Sequence, residues 1–173
     1  MSSKLKLYIA TSLDGYIAGP NGEIDWLDGG GDADYGYQEF YGSIDATLMG
    51  SSTYSLTLTV DKFPYPDKTN YVFTKGTPSS NTVHVQFVSG DIAAFVRSLK
   101  RQAGKDIWLV GGGQINTVML NAGLIDEVIL TTFPLVLGEG VQLFAPGAIV
   151  HPFKSVSCQT FETGLVQWHL MKT

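Results

Sequence analysis

Three consecutive glycines, Gly111–Gly113, stand between an apolar run and an amphipathic pattern. Each glycine costs roughly 1 kcal/mol relative to alanine in regular structure, so a run of three needs a physical reason. A strand that ends in glycine and opens a helix presents free backbone N–H groups and the positive end of a helix dipole. Because a phosphate can approach such a bare backbone directly, one interpretation is an anion site. The alternative is a tight turn that serves helix–sheet packing.

A second strand end has the same pattern, in Gly50 followed by Ser51, Ser52 and Thr53. Three hydroxyls there could bind phosphate together with backbone amides, or one serine could simply cap a helix. Two such turns suit a dinucleotide. The stretch from Gly111 is not a P-loop, because no Gly-Lys-Ser or Gly-Lys-Thr follows, and it does not fit the GxGxxG pattern.

A third strand ends at Thr74 and Lys75, which offer a hydroxyl and a cation. Lys75 could bind a further phosphate, or it could be a solvated turn lysine.

Acidic and hydroxyl side chains that could manage a proton lie mainly on the long loop from Thr11 to Asp34. Asp14 is a candidate, although Asp-Gly is also a common turn pair. Asp34 is another, with Asp32 as its competitor and helix capping as the alternative for both. A carboxylate shielded from water has a raised pKa and can donate a proton. The remaining candidates around a substrate are Thr131, Thr132 and Trp26, the last of which could equally be a core residue.

The elements that must position these residues alternate between strand and helix patterns. Strand–helix–strand order with crossovers of a dozen residues or more indicates parallel neighbours joined by right-handed crossovers. The predicted strands are Lys4–Ala10, Ala46–Met49, Tyr71–Thr74, an alternation over Val83–Phe87, Ile107–Val110, Val128–Phe133, and a C-terminal hairpin through Val156, Cys158, Val166, Trp168 and Leu170. The predicted helices are Tyr37–Ile44, a short one after Gly50, Ile92–Leu99 capped by Gly104, and one bearing Ile115, Val118, Met119 and Ala122 and stopped by Gly123.

These patterns predict an α/β fold with three layers, in which helices flank a mixed, mainly parallel sheet with an antiparallel C-terminal hairpin. The length of 173 residues fits one domain, 1–173. Eleven Lys and Arg against 16 Asp and Glu give a net charge of −5, which makes nucleic acid and anionic membranes improbable partners. The three histidines lie far apart, so we predict no metal site.

Cys158 is the single cysteine, and its place in a strand pattern predicts a small buried hydrophobe. A chain without a disulfide fits a reducing compartment. The N-terminus lacks the apolar core of a signal peptide, and no apolar run reaches the length of a membrane span. We therefore expect a cytoplasmic protein.

Nearly the whole chain resembles the dihydrofolate reductase-like superfamily, and most closely the C-terminal reductase domain of bifunctional riboflavin-biosynthesis deaminase/reductases. The resemblance is carried by LYIATSLDGYIA from Leu7, IDATLMGSSTY from Ile44, and the block from Ile107 to Phe144. The last block is the most specific, because its glycines are followed by Gly-Leu-Ile-Asp-Glu-Val and then by Leu-Gly-Glu-Gly.

This resemblance implies NADPH across the C-terminal ends of the parallel strands. It implies pyrophosphate contacts at Gly111–Gly113 and Gln114, with Ile115 in the adenine half, and further phosphate contacts at Gly50, Ser51, Ser52 and Thr53. It also implies Thr74 and Lys75 beside the adenosine ribose and its 2′-phosphate, and Ala10, Ile17 and Ala18 beside the nicotinamide. Relatives often carry a basic residue where this chain has Ser51, so a preference for NADPH depends mainly on Lys75.

The implied function is NADPH-dependent reduction of a C=N or similar bond in a pyrimidine- or pterin-type substrate, such as the phosphoribosylamino-pyrimidine of riboflavin biosynthesis. Recognition of that phosphate favours arginine. The chain has only Arg97 and Arg101, with Lys62 and Lys68 as substitutes. The alternative function is a nucleotide-binding sensor or interaction protein without turnover. The family also implies a homodimer.

Overall fold

A computed structural model describes residues 2–59, 62–76, 82–102 and 104–173. An eight-stranded sheet runs through it in the order β5-β4-β3-β6-β1-β7-β10-β9, and β2 pairs with β8 in a separate small sheet. The strands are β1 Leu5–Thr11, β2 Tyr16–Ala18, β3 Ile44–Gly50, β4 Thr69–Phe73, β5 Val85–Val88, β6 Asp106–Gly111, β7 Glu127–Thr132, β8 Val141–Gln142, β9 Phe153–Thr160 and β10 Val166–Lys172.

The helices are α1 Tyr37–Gly42, α2 Ser51–Thr57, α3 Ile92–Lys100 and α4 Gly113–Asn121, with a 3₁₀ helix at Asp25–Gly30. Asp91 caps α3 by accepting a hydrogen bond from the Ala94 N–H at 2.9 Å. Gly123 follows the last turn of α4 at φ +65°, a conformation that glycine adopts easily.

The six neighbouring strands β5, β4, β3, β6, β1 and β7 pair in parallel. The last two pairs, β7 with β10 and β10 with β9, are antiparallel. The predicted mixed sheet with its C-terminal hairpin is therefore confirmed. Its largest core cluster is built on Leu5, Leu7, Leu48, Leu109 and Met119, all fully buried. On the opposite face Phe40, Ile44 and Trp108 form a second cluster with the ring of Tyr8, which stacks on Phe40 at 4.4 Å.

Several local predictions were wrong. Ile44 begins β3 instead of ending α1, because the helix stops after Gly42. Val83 lies ahead of β5 and is 95% exposed. Cys158 is exposed on β9, which is the edge strand of the sheet.

Two helix predictions also need correction. The C-cap of α3 is Arg101, so Gly104 lies beyond the helix. Val118 points away from the core and is 39% exposed, whereas Met119 is fully buried. None of the helices in the described part of the chain is long and apolar enough to cross a membrane.

Candidate functional site

The predicted site residues converge because parallel strands end at one edge of the sheet. Gly111 lies opposite Met49, so the turn after β6 and the turn after β3 are neighbours. Thr11 lies opposite Thr132, which brings the ends of β1 and β7 together. This edge is where ligands bind in open α/β sheets.

The three glycines differ in what their surroundings require of them. Gly111 has φ +113°, a conformation that other residues rarely adopt. A Cβ on Gly113 would lie 2.3 Å from the carbonyl oxygen of Gln142, so close packing of the chain after β8 excludes any side chain there. Gly112 has an ordinary φ of −74°, and a Cβ would meet only the Thr53 hydroxyl at 3.4 Å. Backbone conformation therefore explains Gly111 and close packing explains Gly113, but neither explains Gly112.

The N-terminus of α4 carries the features of an anion site. Gly112 is its N-cap, and no side chain caps the helix. The first intrahelical bond runs from the Asn116 N–H to the Gly112 carbonyl at 2.9 Å. The N–H groups of Gly113, Gln114 and Ile115 thus precede the helical hydrogen bonds, at the positive end of the dipole.

The turn after β3 contacts the turn after β6. A Cβ on Gly50 would lie 3.2 Å from Cγ1 of Ile115. Gly50 itself is the N-cap of α2, and no serine side chain caps it. The capping alternative for Ser51 and Ser52 is therefore not realised, and both residues are exposed.

A cavity of about 380 Å³ adjoins the start of α4. It is lined by Gly113 and Gln114 on one side and by Tyr16 and Glu139–Gln142 on the other. This cavity is large enough for part of a dinucleotide.

Thr74 and Lys75 follow β4, the strand next to β3. The Thr74 hydroxyl donates to the Gly76 carbonyl at 3.3 Å, while Lys75 is exposed. Gly50 pairs with Phe73 in the β3–β4 register, so Thr74 and Lys75 directly follow the residue opposite Gly50 at the same edge of the sheet.

Asp14 tethers the loop before β2 to the loop after β7. It accepts hydrogen bonds from the Ser12 hydroxyl at 2.6 Å and from the N–H groups of Leu137 at 3.1 Å and Gly138 at 2.8 Å. The Ser12 hydroxyl and these amides lower its pKa. Since a carboxylate held in its charged form is a poor proton donor, the contacts favour the structural alternative for Asp14.

Thr131 belongs to a hydrogen-bond network that crosses three elements. The Gln167 side-chain amide donates to the Thr131 hydroxyl and to the Tyr35 carbonyl, both at 3.0 Å. The Tyr8 hydroxyl donates to the same carbonyl at 3.0 Å. We call these four residues, Tyr8, Tyr35, Thr131 and Gln167, the amide network.

Tyr35 is a non-glycine residue at φ 50°, a conformation that costs energy and often marks a functional position. Its side chain is held by the Gly30 carbonyl and by the Thr163 hydroxyl at 2.9 Å. The contacts at both its carbonyl and its side chain stabilise this backbone conformation.

Asp34 precedes Tyr35 and is exposed. Its carboxylate accepts the Gln38 N–H at 3.2 Å, so it also caps the start of α1. Burial, together with the charge of Asp34, raises the pKa of Tyr8 to about 12, which indicates that the carboxylate lies near the amide network. Asp32 is exposed and offers no comparable contact.

Trp26 packs edge-to-face on Phe133 with ring centroids 5.1 Å apart. Its indole nitrogen is buried and has no hydrogen-bond partner among the described residues. Such a donor is rare in folded proteins and suggests a position for an acceptor. Thr132 ends β7 beside Thr11 and is half-buried.

The three residues implied at the nicotinamide lie on adjacent strands. Ala10 is in β1 and lies opposite Thr131, while Ile17 and Ala18 are in β2. Ala18 is buried, and its carbonyl would lie 2.1 Å from a Cβ on Gly140, so β8 packs tightly against it.

Sequence reasoning missed Tyr8, Tyr35 and Gln167. Gln167 lies between apolar residues of a strand whose alternation favoured Val166, Trp168 and Leu170 as the inward face. The sequence held one weak signal of this site: polar residues alternate with the apolar ones, which places Gln167 and His169 on one face of β10. His169 contacts the buried Glu127 at 2.7 Å, while Trp168 is 39% exposed.

The profile of the RibD C-terminal domain family matches residues 3–167. The chain belongs to this family. Protein YwjB of Bacillus subtilis (strain 168) is 44% identical over 146 residues, which cover 83% of this chain and 84% of YwjB.

Several solved structures share the fold of this chain. A candidate riboflavin biosynthesis protein from Shewanella sp. PV-4 has a TM-score of 0.87 at 28% identity, covering 100% of this chain and 99% of the other. A diaminohydroxyphosphoribosylaminopyrimidine deaminase/5-amino-6-(5-phosphoribosylamino)uracil reductase from Thermotoga maritima has a TM-score of 0.74 at 18% identity, covering 99% of this chain and 57% of the other.

Dihydrofolate reductase from Enterococcus faecalis, in complex with NADP(H), has a TM-score of 0.72 at 15% identity, covering 100% and 99% of the two chains. The dihydrofolate reductase-like fold predicted from the sequence is therefore confirmed, as is the family. Membership supports a reductase-like role related to riboflavin-biosynthesis enzymes.

Proposed function

We propose that the protein is an NADPH-dependent reductase of a C=N or similar bond in a pyrimidine- or pterin-type substrate. The observation that carries this proposal is the pair of contacting glycine turns after β3 and β6, with Gly112 left unexplained by packing. NADPH supplies the hydride when it is bound, so the protein needs no nucleophile of its own.

The residues present fit such a cofactor. The first N–H groups of α4 would be available to a pyrophosphate, and a side chain at Gly112 would start 3.4 Å from the hydroxyl of Thr53, one of the proposed phosphate ligands. Gly50, Ser51, Ser52 and Thr53 would add phosphate contacts, and Ile115 an apolar contact for the adenine half. Lys75, with Thr74, is the candidate for the 2′-phosphate, and Ala10, Ile17 and Ala18 for the nicotinamide.

The substrate would lie beside the amide network, with Trp26 and Thr132 at its border. Thr131 and Gln167 would orient its polar edge, and Asp34 is the carboxylate that could hold or pass a proton. Asp14 would act at a distance by holding the loop before β2 against the loop after β7. The aromatic rings of Trp26 and Phe133 pack together and would exclude water from the substrate.

The structural neighbours support this substrate range without fixing it. One of them is a reductase of a phosphoribosylaminouracil, and another is a dihydrofolate reductase. Both substrate types present a flat nitrogen heterocycle, which suits a site of aromatic rings and amide hydrogen bonds.

The test combines binding and turnover. Titration of the protein into NADPH should change the fluorescence of the nicotinamide, and addition of candidate pyrimidines, pterins and imines should consume NADPH. Tight cofactor binding without consumption on any substrate would instead support the alternative, a nucleotide-binding sensor or interaction protein. No binding of NADPH at all would contradict both.

Cytoplasmic location and a homodimer remain predictions. The exposed Val156 and Trp168 lie on the C-terminal hairpin, where the edge strand β9 could pair with a second copy. Sedimentation analysis of the purified protein tests the dimer.

A further inference from the structure

The distribution of charge around the proposed substrate site says which substrates it can take. This inference rests on the proposed reductase function, because it assigns the substrate class for the same site. The segment 7–61 contains no Lys or Arg. It nevertheless supplies the loop before β2 and the segment 25–35, and Trp26 and Gly30 of that segment both pack on Phe133 at the end of β7.

This loop and this segment carry five aspartates. We call Asp14, Asp25, Asp28, Asp32 and Asp34 the acidic rim. None of the five forms a salt bridge with any residue in the described part of the chain. Hydrogen bonds stabilise the charges of Asp14 and Asp34, but no cationic side chain of the described residues pairs with any of the five, so a dianionic group brought beside them would be repelled.

All eleven Lys and Arg side chains are accounted for elsewhere in the molecule. Seven lie toward the N-terminal edge of the parallel strands, opposite the site, namely Lys4, Lys6, Lys100, Arg101, Lys105, Lys154 and Lys172. Several are paired there, such as Lys6 with Asp106 at 2.9 Å and Lys100 with Asp126. Arg97 is exposed on α3.

The two lysines of the Pro-rich segment are also unsuited to a phosphate at the amide network. Lys68 is mostly buried, pairs with Asp67 at 3.2 Å and lies 4.2 Å from the centre of the Tyr41 ring. Lys62 is exposed, but the adjacent Phe63 stacks on His84, which directly precedes β5. Strands β5 and β7 are five steps apart in the sheet, a distance of about 24 Å at the usual strand spacing.

Lys75 is the one exposed lysine that ends a parallel strand on the correct edge. It follows β4, four steps from β7 and about 19 Å away. It can serve the adenosine end of a cofactor, but it cannot also reach a group beside Thr131.

What the site does offer is neutral. Both amide hydrogens of Gln167 are used within the protein, which fixes the orientation of its carbonyl oxygen as an acceptor. The buried indole N–H of Trp26 is a donor without a partner among the described residues. Together with the ring of Phe133, these groups match the edges and faces of a flat heterocycle.

We infer that the substrate is a neutral or cationic heterocycle that carries no phosphate, in contrast to the phosphoribosylaminouracil named for the Thermotoga maritima enzyme. The chain would reduce the heterocyclic compound after removal of the phosphate, or a compound that never carried one.

The test uses a matched pair of ligands, 5-amino-6-(5-phosphoribosylamino)uracil and the same compound without its phosphate. Binding of each to the full chain loaded with NADP⁺ is measured by calorimetry at low and high salt. We expect the dephosphorylated compound to bind at least about tenfold more tightly, with a preference that shrinks at high salt. Tighter binding of the phosphorylated compound, equal binding, or no binding of either would overturn the inference.

Two variants separate electrostatics from misfolding. The double substitution Asp28→Lys and Asp32→Lys should strengthen binding of the phosphorylated compound about tenfold. It should change the affinity for the dephosphorylated compound less than about twofold. Lys62→Ala should change neither, and a tenfold loss for the phosphorylated compound alone would assign Lys62 as a phosphate ligand and refute the inference. Turnover is followed separately: if neither compound consumes NADPH while the binding preference holds, the charge selectivity of the site stands, and the reductase proposal is decided by the wider panel of pyrimidines, pterins and imines.

Discussion

The two halves of the proposed site are built from different materials. The cofactor side consists of backbone: glycine turns after β3 and β6 and the uncapped start of α4. The substrate side consists of side chains from distant parts of the chain, with Gln167 contacting Thr131 and Tyr35. A glycine turn can be recognised from the sequence, because glycine itself leaves the backbone uncovered. A side-chain network can be recognised only when the order of the strands in the sheet is known.

The largest effect should come from the cofactor side. Gly113→Ala would place a methyl group 2.3 Å from the Gln142 carbonyl, and a backbone atom cannot move away cheaply. We expect a loss of several kcal/mol in the free energy of unfolding, of the order seen when a packed site is overfilled. Urea denaturation measures it.

The matched control is Gly42→Ala in α1, where a Cβ would meet nothing within 4 Å. It should leave the stability unchanged or raise it by up to about 1 kcal/mol. If both variants were equally stable, the close packing of Gly113 against the chain after β8 would be wrong.

On the substrate side, Gln167→Ala removes two hydrogen bonds and leaves Thr131 without its donor. We expect kcat/KM for the substrate to fall about tenfold, equivalent to about 1.4 kcal/mol, while NADPH affinity stays within about twofold. Steady-state kinetics with both ligands varied provides the measurement.

Gln159→Ala is the control, because Gln159 lies opposite Gln167 in the hairpin but is exposed. Its kinetics should match those of the wild type. A loss of NADPH affinity in Gln167→Ala as large as the loss in kcat/KM would show that the two halves of the site are not separate.

Asp14 connects the halves, and its effect should depend on pH. Because its pKa in the folded protein is lowered below 3.8, the carboxylate stabilises the fold above that pH and loses its contribution as pH falls further. Asp14→Ala should therefore lower the Tm at neutral pH, and the difference from wild type should close in acid. Circular dichroism melts over a pH series test this, with Asp32→Ala as the control. A difference that persisted in acid would contradict the tether.

Tyr8→Phe should have the smallest effect, about 1 kcal/mol, because Tyr35 keeps its hydrogen bond from Gln167. Burial raises the pKa of Tyr8 from 10.0 to about 12, so its stabilising contribution is present below pH 10 and declines as pH rises toward 12. The wild type should thus lose more stability in alkali than Tyr8→Phe. Urea titrations at two pH values would detect it, with Tyr16→Phe as control.

The sequence was sufficient for the order of the eight strands of the main sheet and of the four α-helices along the chain, since the change between the two hydrophobic periods marks them. It did not predict β2, β8 or the 3₁₀ helix at Asp25–Gly30, which are too short to show a period. It was also sufficient for the glycine turns, whose position at strand ends follows from glycine itself. It failed at Cys158 and Val118, because a strand or helix pattern does not reveal which face the next layer leaves uncovered.

The side-chain half of the site was only partly predictable. Thr131 and Trp26 could be proposed from position and residue type, but Gln167 and Tyr35 could not. Gln167 reaches Tyr35 across 132 positions of sequence, and only the pairing of β7 with β10 brings its neighbour Thr131 within reach. Long-range pairing of this kind leaves no local pattern.

The most direct test of the whole account is the affinity for NADPH of the wild type and of Gly112→Val, measured by fluorescence titration beside thermal melts. Gly112 has an ordinary φ, and a Cβ there would meet only the Thr53 hydroxyl at 3.4 Å, so the variant should stay folded. We predict that its Tm stays close to that of the wild type while the affinity falls at least about a hundredfold, or about 2.7 kcal/mol. A folded Gly112→Val protein that binds NADPH as tightly as the wild type would contradict the assignment of these amides to the cofactor.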